Sequence, residues 1–301
     1  MSADAIALRS LLGPRYWLAW LGFGLLRLAI MLPFRVQLCL GRGIGRLLIR
    51  PAHKRADIAR ANIRHCFPQM ASDQQEGLLV RHFESLGIAL FETAQCWWGS
   101  RRTLDGLIKN ITGLEHIKAA QQRGKGIILL SAHFSTLEIG GRLLVNQCKF
   151  APVYRRMNSR IQEYFTQQGR SKGTDGAIAH TNIKAIIRQL KKGGAIWFAS
   201  DQQHQGGNSA LVDFLGQPAH SATGTSAIAR LGKAVVIPFF TRRVAGGYEI
   251  ELLAPLEGYP SGDAIADTAR YHRLIEQQVE RAPEQYLWVH RRFKGAPGAP
   301  Y

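Results

Sequence analysis

Acidic side chains are scarce in this 301-residue chain: 21 Asp and Glu stand against 39 Lys and Arg, a formal net charge of +18. That imbalance predicts an anionic partner, whether nucleic acid, an anionic bilayer or an acidic protein. Cysteine is scarce too. Cys39, Cys66, Cys96 and Cys148 lie far apart and form no Cys-x-x-Cys, which excludes a disulfide scaffold, argues against zinc and suits a reducing compartment. No two histidines stand at metal-ligand spacing, so no metal is expected. The chain has no Gly-x-Ser-x-Gly elbow, internal repeat, low-complexity tract or recognised nucleic-acid motif. A non-catalytic nucleic-acid-binding or membrane-adaptor role therefore rests on charge alone.

Long apolar runs are limited to one. Residues Tyr16 to Phe34 carry Arg27 as their only charge, with Tyr16, Trp17 and Trp20 at one end like an interfacial aromatic belt. At about 1.5 Å per residue the run just suffices to cross a hydrocarbon core. Arg27 leaves an oblique or in-plane anchor open, and a soluble core helix is the plainer alternative. No small-x-small cleavage site follows it. Arg35, Arg42, Arg46, Arg50, Lys54, Arg55, Arg60 and Arg64 come next against Asp57 alone, a flank expected to stay cytoplasmic. The expected division is an anchor over 1–34 and one domain over 35–301.

With 46% hydrophobic residues that domain can fill a sizeable core. Helical spacing predicts segments over 34–49, 53–65 and from Ser72 to Trp98, the last opened by a Ser72/Gln75 capping box. Beyond Gly113 strands and helices alternate. Helices are expected over 113–122, 159–168, 181–192, 222–231 and 265–280. Strands are expected from Ile127 and over 150–154, 195–200, 211–215, 234–241, 248–254 and 286–289, with 296–301 a loose tail. Such alternation means an α/β fold, a mixed sheet flanked by helices.

The chemistry gathers after the strand Ile127–Leu130. Ala132-His133 ends the run, Ser135 or Thr136 offers a helix N-cap, and Glu138 falls in the new helix's first turn. On one continuous helix a spacing of five would put His133 and Glu138 about 140° apart; the break between them lets the carboxylate fold back toward the imidazole. A histidine with one nitrogen held by a carboxylate and the other free is a general base. A strand-end histidine that merely caps a helix, beside a surface glutamate, fits the same residues.

Four blocks in order carry a resemblance. They are Ala132-His133-Phe134-Ser135-Thr136-Leu137-Glu138, Tyr154-Arg155-Arg156-Met157-Asn158, Trp197-Phe198-Ala199-Ser200-Asp201-Gln202, and the stretch from Val212-Asp213-Phe214-Leu215-Gly216 through Ala222-Thr223-Gly224-Thr225 to Val236-Ile237-Pro238-Phe239. Together they resemble the lysophospholipid acyltransferase superfamily, with its His-x4-Asp/Glu signature, and within it the late acyltransferases of bacterial lipid A biosynthesis. The resemblance implies a glycerol-3-phosphate acyltransferase-like fold at the inner membrane, with the catalytic domain on the cytoplasmic side. It also implies transfer of a fatty acyl chain from an acyl carrier protein thioester to a hydroxyl of a phosphorylated glycolipid acceptor. His133 would be the general base and Glu138 its orienting partner, with no acyl-enzyme, cofactor or nucleic acid. Arg155, and with less weight Arg156, would grip phosphate at a strand end; Arg170, in the Gln168–Gly173 turn, is a further anion-binding candidate. Asp201 would meet a sugar hydroxyl or orient Arg155, unless it serves a cap or turn. Arg156 stands where the family often has proline, and Gln202-Gln203-His204 follow Asp201 where an aromatic or second acid is common. These departures leave open the acceptor, with a glycerophospholipid or other glycolipid as the alternative.

Overall fold

A computed structural model of the protein describes residues 6–170 and 173–301. Two 3₁₀ turns, Leu8–Leu11 and Pro14–Tyr16, lead into helices α1 (Trp17–Ala29), α2 (Phe34–Leu48), α3 (His53–Cys66), α4 (Ser72–Trp98) and α5 (Arg101–Asp105). The α/β part follows as β1 (Ile108–Thr112), α6 (Leu114–Gln122), β2 (Ile127–Ser131), α7 (Leu137–Leu144), β3 (Ala151–Tyr154), α8 (Arg160–Arg170), β4 (Ile178–Ala179), α9 (Ile183–Lys191) and β5 (Ala195–Ala199). The chain closes with the hairpin β6 (Ser209–Phe214) and β7 (Gln217–Ala222), then α10 (Gly224–Gly232), β8 (Val235–Val244), β9 (Gly247–Leu252) and α11 (Ala264–Arg281).

Seven strands form one mixed sheet in the order β1-β9-β8-β2-β5-β3-β4, in which only the β8–β9 pair is antiparallel. β2 sits at its centre and is buried throughout. Its side chains alternate between two cores: Ile128 and Leu130 join Ile196, Tyr271 and Ile275 on one face, while Ile127 and Leu129 join Trp97, Trp197 and Phe239 on the other. A strand covered on both sides reads as a continuous apolar run, which makes it legible in the sequence.

The expected α/β class and its helices are present, and the differences are local. β1, β4 and β7 go beyond the expected strands, because IKNIT, a two-residue strand and QPAHSA carry too little apolar pattern. Ala222 ends β7 instead of starting a helix. The strand expected over 286–289 is reduced to one antiparallel bridge, Phe134–Tyr286, after a 3₁₀ turn at Pro283–Gln285. The capping box does not form: Ala71 is the N-cap of α4, and Gln75 donates instead to the Phe67 carbonyl, 2.8 Å away. The tail is packed, since Tyr301 Oη donates to Asn62 Oδ1 at 2.8 Å and accepts from the Phe293 N–H at 3.0 Å.

The N-terminal run is also different. It breaks after Ala29, and Pro33 caps a separate helix. At 13 residues α1 extends about 20 Å, short of a roughly 30 Å hydrocarbon core. Among the described residues no helix is long and apolar enough to cross a membrane, so a spanning anchor is not supported. The part of the 1–34 division before Ile6 lies outside the described residues. Instead α1 lies against the body: Trp20 and Phe23 meet Phe165 with ring centroids 5.4 and 4.7 Å apart. Arg27, the one charge of the run, stacks over Trp98 at 5.7 Å. The outer face of α1 is bare, with Leu18 81% exposed and Leu21, Leu25 and Leu28 similarly uncovered. Behind it α2 and α4 pack at backbone contact: a Cβ on Gly87 would stand 2.0 Å from the Gly41 carbonyl oxygen.

Candidate active site

The β2–β5 register brings the two key side chains together. Ser131 pairs with Ala199 across parallel strands, so the residues two positions beyond, His133 and Asp201, emerge side by side at the carboxyl edge of the sheet. His133 Nδ1 lies 2.6 Å from Asp201 Oδ1. The His133 backbone N–H also donates to both carboxylate oxygens, at 3.0 and 3.1 Å. Asp201 is 1% exposed and His133 26%. Burial by itself would push the Asp201 carboxyl up, but the charge and hydrogen bonds of His133 hold it down at about 2. Burial likewise works against a charged His133, and Asp201, with a weaker push from Glu138, overcomes it and raises the imidazole above its usual value. Among the described residues no protein group bonds Nε2, and the ring lines a cleft of about 580 Å³.

The loop after His133 is fastened on three sides. The Leu287 N–H donates to the His133 carbonyl at 2.9 Å and the Ser135 N–H to the Gln285 carbonyl at 2.7 Å. Thr136 Oγ1 donates to the Thr241 carbonyl at 2.6 Å. Ser135 Oγ meets Ser85 Oγ of α4 at 2.7 Å, and Ser85 in turn accepts from Arg243. Arg243 and Glu92 form a buried bidentate ion pair that ties β8 to α4 beneath the loop. Separations of 151 to 158 residues hide these braces from any local pattern.

The remaining expected site residues take other positions. Glu138 does begin α7, yet its carboxylate is bonded to Arg170 and not to His133; Arg170 Nε lies 3.3 Å from Oε2 and a second, shorter contact joins Nη2 to Oε1. The turn from Phe134 to Leu137 carries α7 toward α8, so Glu138 meets the last residue of that helix. Arg170, expected in a turn whose Ser171 and Lys172 lie outside the described residues, closes α8 and stacks over Tyr154 at 5.2 Å. Asp201, expected to meet a sugar hydroxyl, orient Arg155 or serve a cap or turn, is buried behind His133, bonds its ring and backbone, and does not line the cleft. Arg155 is exposed beside the cleft, as expected of a residue just past β3, while Arg156 is exposed but does not line it. Leu137, Pro152, Val153, Phe198 and Ile228 give the cleft an apolar wall, and His180, Ser200, Gln202, Gln203 and His204 give it a polar edge. Its polar edge and apolar walls suit an amphiphile.

A carboxylate that fixes Nδ1 and an unbonded Nε2 on an open cleft are the working parts of a general base. The fold and the site thus define an α/β protein with a histidine–aspartate pair at the carboxyl edge of its sheet. Comparison with known proteins makes this specific. A model of the bacterial lipid A biosynthesis acyltransferase family matches residues 5–295. The chain is 37% identical to the lipid A biosynthesis lauroyltransferase of Escherichia coli K12, over 97% of this chain and 96% of that one. It is equally similar to the palmitoleoyltransferase of the same organism, over 96% and 95%, and 25% identical to its myristoyltransferase, over 93% and 88%. The chain belongs to the bacterial lipid A biosynthesis acyltransferase family, and is an enzyme of the O-acyltransferase class.

Proposed function

We propose that the protein moves a fatty acyl chain from the thioester of acyl carrier protein to a free hydroxyl of a lipid A precursor, adding a secondary chain. His133 Nε2 takes the hydroxyl proton as the oxygen attacks the thioester carbonyl carbon. The tetrahedral intermediate then collapses with loss of the thiolate, which recovers the proton from the imidazolium. Asp201 holds the tautomer and stabilises that imidazolium, as in the histidine–carboxylate half of a hydrolase triad. No protein nucleophile is required, and no cofactor enters. The observation that carries this reading is the 2.6 Å His133–Asp201 contact at the rim of a partly apolar cleft, in a chain matched by the family over nearly its whole length.

Within that reading Arg155, exposed and with no ion pair among the described residues, meets a phosphate of the acceptor. Glu138 acts by holding Arg170 at the cleft. The fold around them is the glycerol-3-phosphate acyltransferase-like one. The enzyme works on the cytoplasmic side of the inner membrane, with α1 lying in the interface: each bare Leu on its outer face would gain up to about 1.5–3 kcal/mol on full burial among acyl chains.

Three measurements test this. Purified enzyme with an acylated carrier protein should acylate a phosphorylated glucosamine disaccharide lipid and not lysophosphatidate; the reverse preference moves it to glycerophospholipid chemistry. Lipid A from cells lacking the gene should be short of one secondary chain by mass spectrometry. In vesicle sedimentation, changing Leu18, Leu21 and Leu25 together to Ser should release the protein from anionic liposomes, and retention would end the in-plane attachment.

A further inference from the structure

Helices α9 and α10 cover the sheet on the face opposite α1. Ile186, Leu190 and Ala229 join the core of one face, whereas Phe23 of α1 packs against the core of the other. The outer surface of this helix pair is charged in one sense only. No acidic residue occurs between Asp175 and Asp201, or between Asp213 and Glu249, the two segments that contain α9 and α10. Lys184, Arg188, Lys191, Arg230 and Lys233 are all exposed there. Where acidic residues are interspersed, some surface cations pair with them, as Arg46 does with Glu84, Arg60 with Glu76 and Arg281 with Glu251. Among the described residues none of these five forms an ion pair.

Between the cations lies a shallow depression of about 570 Å³ with Ile183, Ile187 and Leu231 in its lining. Ile183 and Leu231 are 45% and 54% exposed, although each stands on a helix with an adequate buried face of its own. The same two helices turn Ile186 and Ile228 inward to the wall of the His133 cleft. Patch and cleft are thus the two sides of one helical layer.

We propose that this patch is the docking surface for the acidic protein that carries the acyl thioester, so that donor and bilayer meet the enzyme on opposite faces of the sheet. The proposal rests on the transfer reading above. An apolar floor with a rim of unpaired cations is complementary to a small protein that presents an apolar ridge flanked by carboxylates, and long-range attraction would steer it there. An anionic bilayer has the same charge, but α1 offers it a far more apolar surface on the opposite face of the sheet. A second copy of this chain, at +18, would be repelled.

The test is the full chain with Lys184→Glu, Arg188→Glu and Lys191→Glu combined, assayed with an acylated carrier protein and with acyl coenzyme A as a small donor. The expected result is a rise of about tenfold or more in KM for the carrier donor and a weaker salt dependence, with kcat, thermal midpoint and small-donor kcat/KM unchanged. Direct binding of the carrier protein to wild type and variant gives the same answer if the small donor is not used. An unchanged KM or affinity for the carrier overturns the docking surface and leaves the transfer reading standing. Loss of binding to anionic vesicles by the variant would overturn it too, by making the patch a lipid surface. Failure of the wild type to transfer from either donor would instead remove the transfer reading itself.

Discussion

Asp201 and Glu138 both reach the carboxyl edge of the sheet, and the fold uses them differently. Asp201 leaves the end of β5 at 1% exposure and puts its charge on the His133 ring and backbone. Glu138, a third exposed in the first turn of α7, spends its charge on Arg170. Glu138 is the neighbour of His133 in the chain, and Asp201, 68 residues away, is its neighbour in space. Strand register outweighs sequence proximity because parallel strands project their following residues side by side, whereas a helix start sends its first turn onward.

Four experiments would break or sharpen that contrast. His133→Ala should take turnover down to background, a loss on the order of 10²–10⁴-fold or more, in a protein that still folds but melts at a lower temperature, since Asp201 loses its buried partner. Activity near wild type would leave both carboxylates without a catalytic partner. Asp201→Asn should cost kcat on the order of 10²–10³-fold, by loss of the tautomer and of the charge behind the imidazolium. Asp201 raises the His133 pKa, so the same variant should move the acid limb of the pH–kcat/KM profile to lower pH, since the neutral base then persists further into acid. A shifted limb in Glu138→Gln and not in Asp201→Asn would reverse the assignment of partners.

Glu138→Gln and Arg170→Gln should each lower kcat/KM by about 10–100-fold through misplacement at the cleft, and the double variant should be no worse than the poorer single. Additive losses would mean that the two act separately. The smallest effect is on stability. Asp201 is held at about 2 against an ordinary 3.8, so its contribution is present above the ordinary value and lost as pH falls through the lower one. His133 is raised above 6.5, so its contribution is present below that value and lost as pH climbs through the raised one. The urea midpoint of wild type should therefore exceed that of Asp201→Asn most near about pH 5, and the margin should shrink on both sides. A margin independent of pH would show that the pair does not titrate as a unit.

The legible parts of the molecule are those whose signal is local. β2 announces itself as an apolar run between turn residues, α4 by its helical spacing, and His133 by standing where the run stops. The four blocks are local signals as well, and they place Asp201 at a strand end. What they lack is which strand lies beside which: without the β2–β5 register Asp201 has no reason to face His133 more than Arg155. Composition also misleads in one place. Residues 16–34 have the apolarity of a membrane span, but their length is divided by the break after Ala29 and by Pro33, and Trp20 and Phe23 turn part of the run onto Phe165. An apolar count measures how much surface avoids water and says nothing of what covers it.

By itself the order of residues determined the α/β class, the helices and most strands, the strand-end histidine and a basic surface awaiting an anionic partner. These follow from periodicity and charge, which neighbours in the chain settle among themselves. Only the tertiary structure decided that His133 belongs to Asp201, that Glu138 belongs to Arg170, and that the bare apolar face of α1 and the unpaired cations of α9 look away from each other. Those pairings depend on register and on the packing of distant elements, where a contact is chosen by geometry across the sheet and not by distance along the chain.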